Sequence, residues 1–91
     1  MSSEAQVQHD RDEKQFYITA EGGRAYLAYM DLGKQTMDIY RTFVPDALRG
    51  EGLAAKLAAA ALEYADEHNY TVIPSCSYVE SYMQRRQSDA S

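Results

Sequence analysis

The chain has no tryptophan, one cysteine and two prolines, and its nine lysines and arginines face fourteen aspartates and glutamates. Each shortage removes a class of protein. The lone Cys76 cannot close an internal disulfide, so this is not a disulfide-stapled scaffold and it suits a reducing compartment. A formal net charge of −5 leaves no basic face to neutralise phosphates, which argues against general nucleic-acid binding and against a polybasic membrane footprint. No apolar run approaches the roughly 18–20 residues of a membrane span. The opening "MSSEAQVQHD" shows neither the basic nor the apolar region of a secretory signal, so the cytoplasm is the expected compartment. No histidine, cysteine and acidic cluster has metal-ligand spacing, and no metal is expected.

What is present is ordinary for a globular domain: 91 residues, 45% hydrophobic, with eight tyrosines. That length predicts one domain over 1–91 with one modest core, its polar ends, 1–6 and 87–91, frayed. Any ligand must share that core or be completed by another subunit. The oligomeric state is not legible.

"VQHDRDEKQFYITA" predicts a hairpin turned by the charged "DRDEK", and Gly22-Gly23 makes the next turn. "RAYLAYMDL" alternates, with Leu27 and Tyr29 on one face and Tyr26, Ala28 and Met30 on the other. Both faces are apolar enough to suggest a strand covered on both sides. "GKQT" turns into "MDIYRTFV", which Pro45 ends because proline brings no N–H to a ladder. Then Leu53, Leu57, Ala60, Ala61, Tyr64 and His68 fall at helical spacing, in an alanine-rich run of high helix propensity that Asn69 stops. "YTVI", closed by Pro74, is a short strand, and "SCSYVESYMQRR" turns into a short helix. The expected class is α+β, a mostly antiparallel sheet with one main helix crossing between strands.

The start of that helix, "RGEGLAAK", spends two of five glycines. A turn is their simplest use. A phosphate-binding P-loop needs G-x-x-x-x-G-K-[ST], which is not here, and a dinucleotide fingerprint needs a third glycine where Lys56 or Ala55 stands. A third use fits better. Unpaired amides and the dipole at a helix start favour an anion, and glycine lets a pyrophosphate come close.

The spacing Arg49-x-x-Gly52-x-Ala54 between a strand and a helix resembles the pyrophosphate loop of the GNAT acyltransferase superfamily. With "RTFVP" before it and "VIPSCSYV" about twenty residues after, the chain resembles that superfamily's small single-domain subgroup over residues 15–83. The resemblance implies a GNAT-like fold and an N-acetyltransferase that uses acetyl-CoA on a small-molecule or protein amine. The alternative is a coenzyme A-binding module without much catalysis. It implies that the strand before the loop splays from its neighbour, with Phe43 and Val44 offering backbone groups to the pantetheine arm. Gly50, Glu51, Gly52, Leu53 and Ala54 would hold the pyrophosphate, with Arg49 and Lys56 adding charge.

Cys76 would lie near the coenzyme thiol, as an acyl acceptor or as pocket lining, unless it is a small buried hydrophobe. Its thiolate would need a cation or a helix start nearby, and Arg41 and the helix after Ser77 are the candidates. Tyr78, or Tyr82 four residues on, would protonate the leaving thiolate. One position departs from the subgroup: Arg41 stands where a histidine usually precedes Thr-x-Val-Pro. Arginine stays protonated and cannot act as a general base.

Overall fold

The computed structural model describes residues 6–90, with side chains to 86; most of the ends expected to fray lie outside this span. The elements run β1 (Gln8–Asp10), β2 (Gln15–Ala20), β3 (Gly23–Gly33), β4 (Thr36–Phe43), a 3-10 turn (Asp46–Leu48), α1 (Leu53–Glu67), β5 (Thr71–Pro74) and α2 (Ser77–Ala90). The strands form one sheet in the order β1-β2-β3-β4-β5. The first four pair antiparallel through tight turns, and β5 joins β4 in parallel. A parallel neighbour needs a crossover, and α1 supplies it.

Strand alternation builds the core. Phe16, Ile18, Ala25, Leu27, Tyr29, Met37 and Ile39 point to one face and are buried there. They join Leu53, Leu57, Ala58, Ala61 and Leu62 of α1 and Val79 of α2 in one cluster. Among the described residues no helix covers the other face of the sheet. Among the described residues Met30, Tyr40, Phe43 and Ile73 are exposed along it. The expectation that β3 is covered on both sides is therefore corrected. Its second apolar face is real, but both helices go to the first.

A second correction concerns α1. Its buried side is Leu53, Leu57, Ala58, Ala61, Leu62 and Ala65, whereas Ala60 and Tyr64 are half-buried and His68 is exposed. In an alanine-rich helix many stripes look equally apolar, and the large Leu62 sets the rotation. The helix ends as expected: Asn69 takes a φ of 60°, and the Tyr70 N–H reaches back to the Ala65 carbonyl at 2.7 Å.

At that end of α1 lies an aromatic cluster. His9 stacks on Phe16 with centroids 4.0 Å apart, meets Tyr64 edge-on at 4.6 Å, and Tyr64 stacks on His68 at 4.2 Å. Burial, then Tyr64 and Tyr70 beside it, push the Tyr29 hydroxyl up to about 12, so it stays protonated; it shares a hydrogen bond of 2.7 Å with His9 Nε2. Burial, and then Arg11, hold His9 below its ordinary value.

The folded state thus favours neutral His9. Its contribution to stability is complete above the unfolded value of 6.5 and is lost as pH falls through the lower folded value. Melting temperatures between pH 7.5 and 5 are expected to fall less steeply for His9→Phe, which keeps the stack on Phe16, than for the wild type. Parallel curves would contradict this.

Candidate functional site

β4 and β5 pair only from Thr36↔Thr71 to Ile39↔Pro74. The chain bends at Pro74, where the Ser75 N–H bonds the Ile73 carbonyl at 3.1 Å, and the Cys76 N–H takes the Ile39 carbonyl at 2.9 Å as the final link. Beyond it β5 becomes α2, and β4 continues alone on that side. β4 is also bulged here: Ala28 faces Arg41 and Tyr29 faces Ile39, so Tyr40 has no partner in β3.

After Phe43 the chain passes Val44, Pro45 and the 3-10 turn. That turn packs on the β2–β3 turn so closely that a Cβ on Gly23 would stand 3.1 Å from Pro45 Cγ. Gly50 and Gly52 take φ of 87° and 74°, and nothing lies within 4 Å of a Cβ built on either. Glycine is needed there for backbone conformation, not for protein packing. Gly52 is the N-cap of α1, with no side-chain cap and no acidic residue in the first turn. The first backbone amide engaged from within is that of Lys56, on the Gly52 carbonyl at 3.2 Å. Leu53, Ala54 and Ala55 offer amides at the positive end of a 15-residue helix.

These amides border a cavity of about 350 Å³, lined by Val44, Leu48, Arg49, Gly50, Gly52, Leu53, Ala54, Ala55 and Tyr78. A cavity of this size lies within the range of small-molecule sites. It gathers Val44, Arg49, Gly50, Gly52, Leu53, Ala54 and Tyr78 of the residues singled out in the sequence. Glu51 and Lys56 are exposed beside it and do not line it. Phe43 turns its ring to the open face, against Tyr26 at 5.5 Å. Sequence reasoning missed Leu48 and Ala55. Leu48, the one buried residue of the 3-10 turn, could have been found from its position between Pro45 and the glycines.

Among the described residues Arg49 is paired only with Asp46, at 3.2 Å, with side chains 72% and 93% exposed. An exposed pair of this kind stabilises by about 0–1 kcal/mol, so little opposes turning the guanidinium to a ligand anion.

Cys76 sits where the strands part. Its thiol donates to Thr42 Oγ1 at 3.5 Å. Burial pushes the thiol up, but the Thr42 hydroxyl and the backbone amides of Val79, Tyr78 and Thr42 outweigh that and hold it below its ordinary value. The start of α2 thus acts as expected. Arg41 does not: it is exposed and alternates away from Thr42, so it plays no part in lowering the thiol. Both histidines belong to the aromatic cluster at the far end of α1, a helix roughly 22 Å long at 1.5 Å per residue, and neither lines the cavity. Among the described residues no three His, Cys, Asp or Glu side chains gather as a metal site. No described helix is long and apolar enough to cross a membrane.

An α+β sheet whose fourth strand parts from a parallel fifth, with a glycine-rich turn into the crossover helix, defines the acyltransferase class of fold. The chain belongs to the GCN5-related N-acetyltransferase family, whose model matches residues 15–91. It is 40% identical over 85 residues to Protein NATD1 of Xenopus tropicalis, covering 91% of this chain and 78% of the frog protein. It is also 40% identical over 80 residues to Protein NATD1 of Homo sapiens, covering 86% of this chain and 71% of the human protein. A solution structure of a GCN5-like protein from Staphylococcus aureus superposes with a TM-score of 0.74 at 30% identity, over 96% of this chain and 85% of the other.

Alkylation of Cys76 by iodoacetamide, followed against pH, is expected to show a midpoint below that of a free thiol. Thr42→Val should move the midpoint upward. A wild-type midpoint at or above the free-thiol value would contradict the hydrogen-bonded cradle.

Proposed function

We propose that the chain is an acetyl-CoA-dependent N-acetyltransferase acting on an amine in a reducing compartment, the cytoplasm. One observation carries the reading: the cavity just past the end of β4, at Val44, is walled by the first-turn residues Leu53, Ala54 and Ala55 of α1 and by Tyr78 at the start of α2. In this reading the backbone of Gly50, Glu51 and Gly52, with the amides of Leu53, Ala54 and Ala55, holds the pyrophosphate. Arg49 turns from Asp46 to it, and exposed Lys56 adds positive potential in an otherwise acidic chain. Phe43 and Val44 offer backbone groups to the pantetheine arm.

The coenzyme supplies an activated acyl thioester. The residues then position and polarise. Backbone donors on the parted strand face the thioester carbonyl, where negative charge develops during attack. The amine nitrogen forms the amide bond as the C–S bond breaks. Tyr78, on the cavity wall, is placed to return a proton to the leaving sulfur, and water takes the amine's proton. Cys76, with its thiol drawn toward the thiolate by the start of α2, is the alternative first acceptor.

A second reading, a coenzyme-binding module, is favoured by one fact: neither histidine is near the cavity, so no side chain there is an evident general base. Release of free thiol from acetyl-CoA in the presence of amines separates the two. Tight coenzyme binding with no release over a broad amine panel would favour the module.

Gly52→Val tests the loop. A non-glycine residue in the left-handed region costs about 1–2 kcal/mol, which a stable domain survives. Its side chain would enter space that is open in the wild type. Calorimetry is expected to show at least a roughly tenfold weaker coenzyme A affinity, about 1.4 kcal/mol, with the circular dichroism spectrum unchanged. Unaltered affinity in the folded variant would sink the assignment.

A further inference from the structure

The uncovered face of the sheet carries chemistry that the coenzyme site does not use. Cross-strand register places Tyr17 beside Tyr26 and Tyr26 beside Phe43, with Ala28 between Gln15 and Arg41 one pair further on. Tyr26 and Phe43 lie 5.5 Å apart, Phe43 and Tyr40 are 41% and 49% exposed, and Ala28 forms a buried floor. Two cations stand on this face. Arg24 is engaged, its guanidinium 4.1 Å above the Tyr17 ring. Arg41 is exposed, and among the described residues no carboxylate lies within 4 Å of it. Asp38, three residues earlier on the same face, has its Oδ1 buried and without a hydrogen-bond partner among the described residues.

Arg41 also holds a particular place. Ile39 is the last β4 residue joined to β5, through its carbonyl to Cys76, and Tyr40 and Arg41 are the first two beyond the parting. Thr42 points to the helix side and meets the Cys76 thiol. Arg41 therefore stands behind the parted edge, across the sheet from the cavity.

We infer that the acceptor enters from this open face and is an amine that carries a carboxylate, an amino acid with an apolar side chain, with Arg41 holding the carboxylate. The inference rests on the acetyl-transfer reading above. Guanidinium and carboxylate match in a two-bond fork, and a planar cation beside aromatic rings suits an anion on an apolar body. The apolar side chain lies over Ala28 between Tyr26, Phe43 and Tyr40, and the amine reaches through the gap toward the thioester. Transfer forms the amide C–N bond, breaks the thioester C–S bond, and yields the N-acetyl amino acid and the free coenzyme thiol. Arg41 neither gives nor takes a proton; it positions the acceptor.

The test compares L-phenylalanine with phenethylamine, its counterpart without the carboxylate, in the wild type and in Arg41→Gln. Each amine is compared with itself across the two proteins, so differences in intrinsic amine reactivity cancel. The ratio of kcat/KM for phenylalanine over phenethylamine is expected to fall about tenfold in Arg41→Gln, about 1.4 kcal/mol. Coenzyme A affinity should change less than about twofold, since Arg41 does not line the cavity. The tripeptide Phe-Gly-Gly, whose carboxylate is remote from its amine, is expected to react at least about tenfold less well than phenylalanine in the wild type.

An unchanged ratio, or equal turnover of the tripeptide, overturns the inference while acetyl transfer stands. Coenzyme binding with no thiol released for any amine overturns it in favour of the binding module. No coenzyme binding in the wild type overturns this inference and the proposed function together.

Discussion

The arrangement of this molecule depends on one interrupted ladder. Pro74 has no N–H to continue the parallel pairing, and the chain folds back on itself at Ser75 so that the Cys76 amide, not a further strand residue, takes the Ile39 carbonyl. From that bond onward β5 is a helix and β4 has a bare edge. A bare edge inside a domain normally costs stability because backbone groups lose their partners. Here the loss is confined to a few residues and is offset by the cluster beneath, where Leu57, Val79 and Ile39 are fully buried. The cavity just past that edge, at Val44, is bordered by both the α1 start and the α2 start, through Leu53, Ala54, Ala55 and Tyr78. Two helix dipoles therefore converge on one gap in an acidic chain.

Much of the fold was legible because local rules fixed it. The charged "DRDEK" turn, the helix stop at Asn69 and the strand ends before Pro45 and at Pro74 each follow from what one residue type can or cannot do with its backbone. The glycine pair was legible for the same reason, as Gly50 and Gly52 both adopt positive φ. The rotation of α1 was not, because alanine leaves several stripes nearly equal in hydrophobicity and only packing against Leu62 and Ala65 chooses among them. Nor was the one-sided cover of the sheet. Tyr26 and Met30 read in sequence as part of a covered face, since nothing local tells an apolar face that waits for a helix from one that does not receive it.

At the site, the sequence located the loop but not the geometry around it. Arg49, Gly50, Gly52, Leu53, Ala54, Val44 and Tyr78 come together around one cavity, while Phe43, Glu51 and Lys56 are near it in sequence and turned elsewhere. Arg41 shows the limit most clearly. In sequence it was one candidate cation for the Cys76 thiol; the bulge at Tyr40 and strand alternation send it through the sheet to the opposite face. A bulge leaves no mark in composition or periodicity, yet it decides which side of the gap carries the cation.

The central claim is that the start of α1 and the bare edge of β4 form one coenzyme site. The most direct measurement is amide chemical-shift mapping of the labelled protein as coenzyme A is added. Shifts should concentrate on Val44, Gly50, Gly52, Leu53, Ala54 and Ala55, with smaller ones at Cys76 and Tyr78 and none around His9 and Tyr64. A saturating response centred on the aromatic cluster or on the open sheet face, with the amides of Gly52 to Ala55 unmoved, would contradict the account.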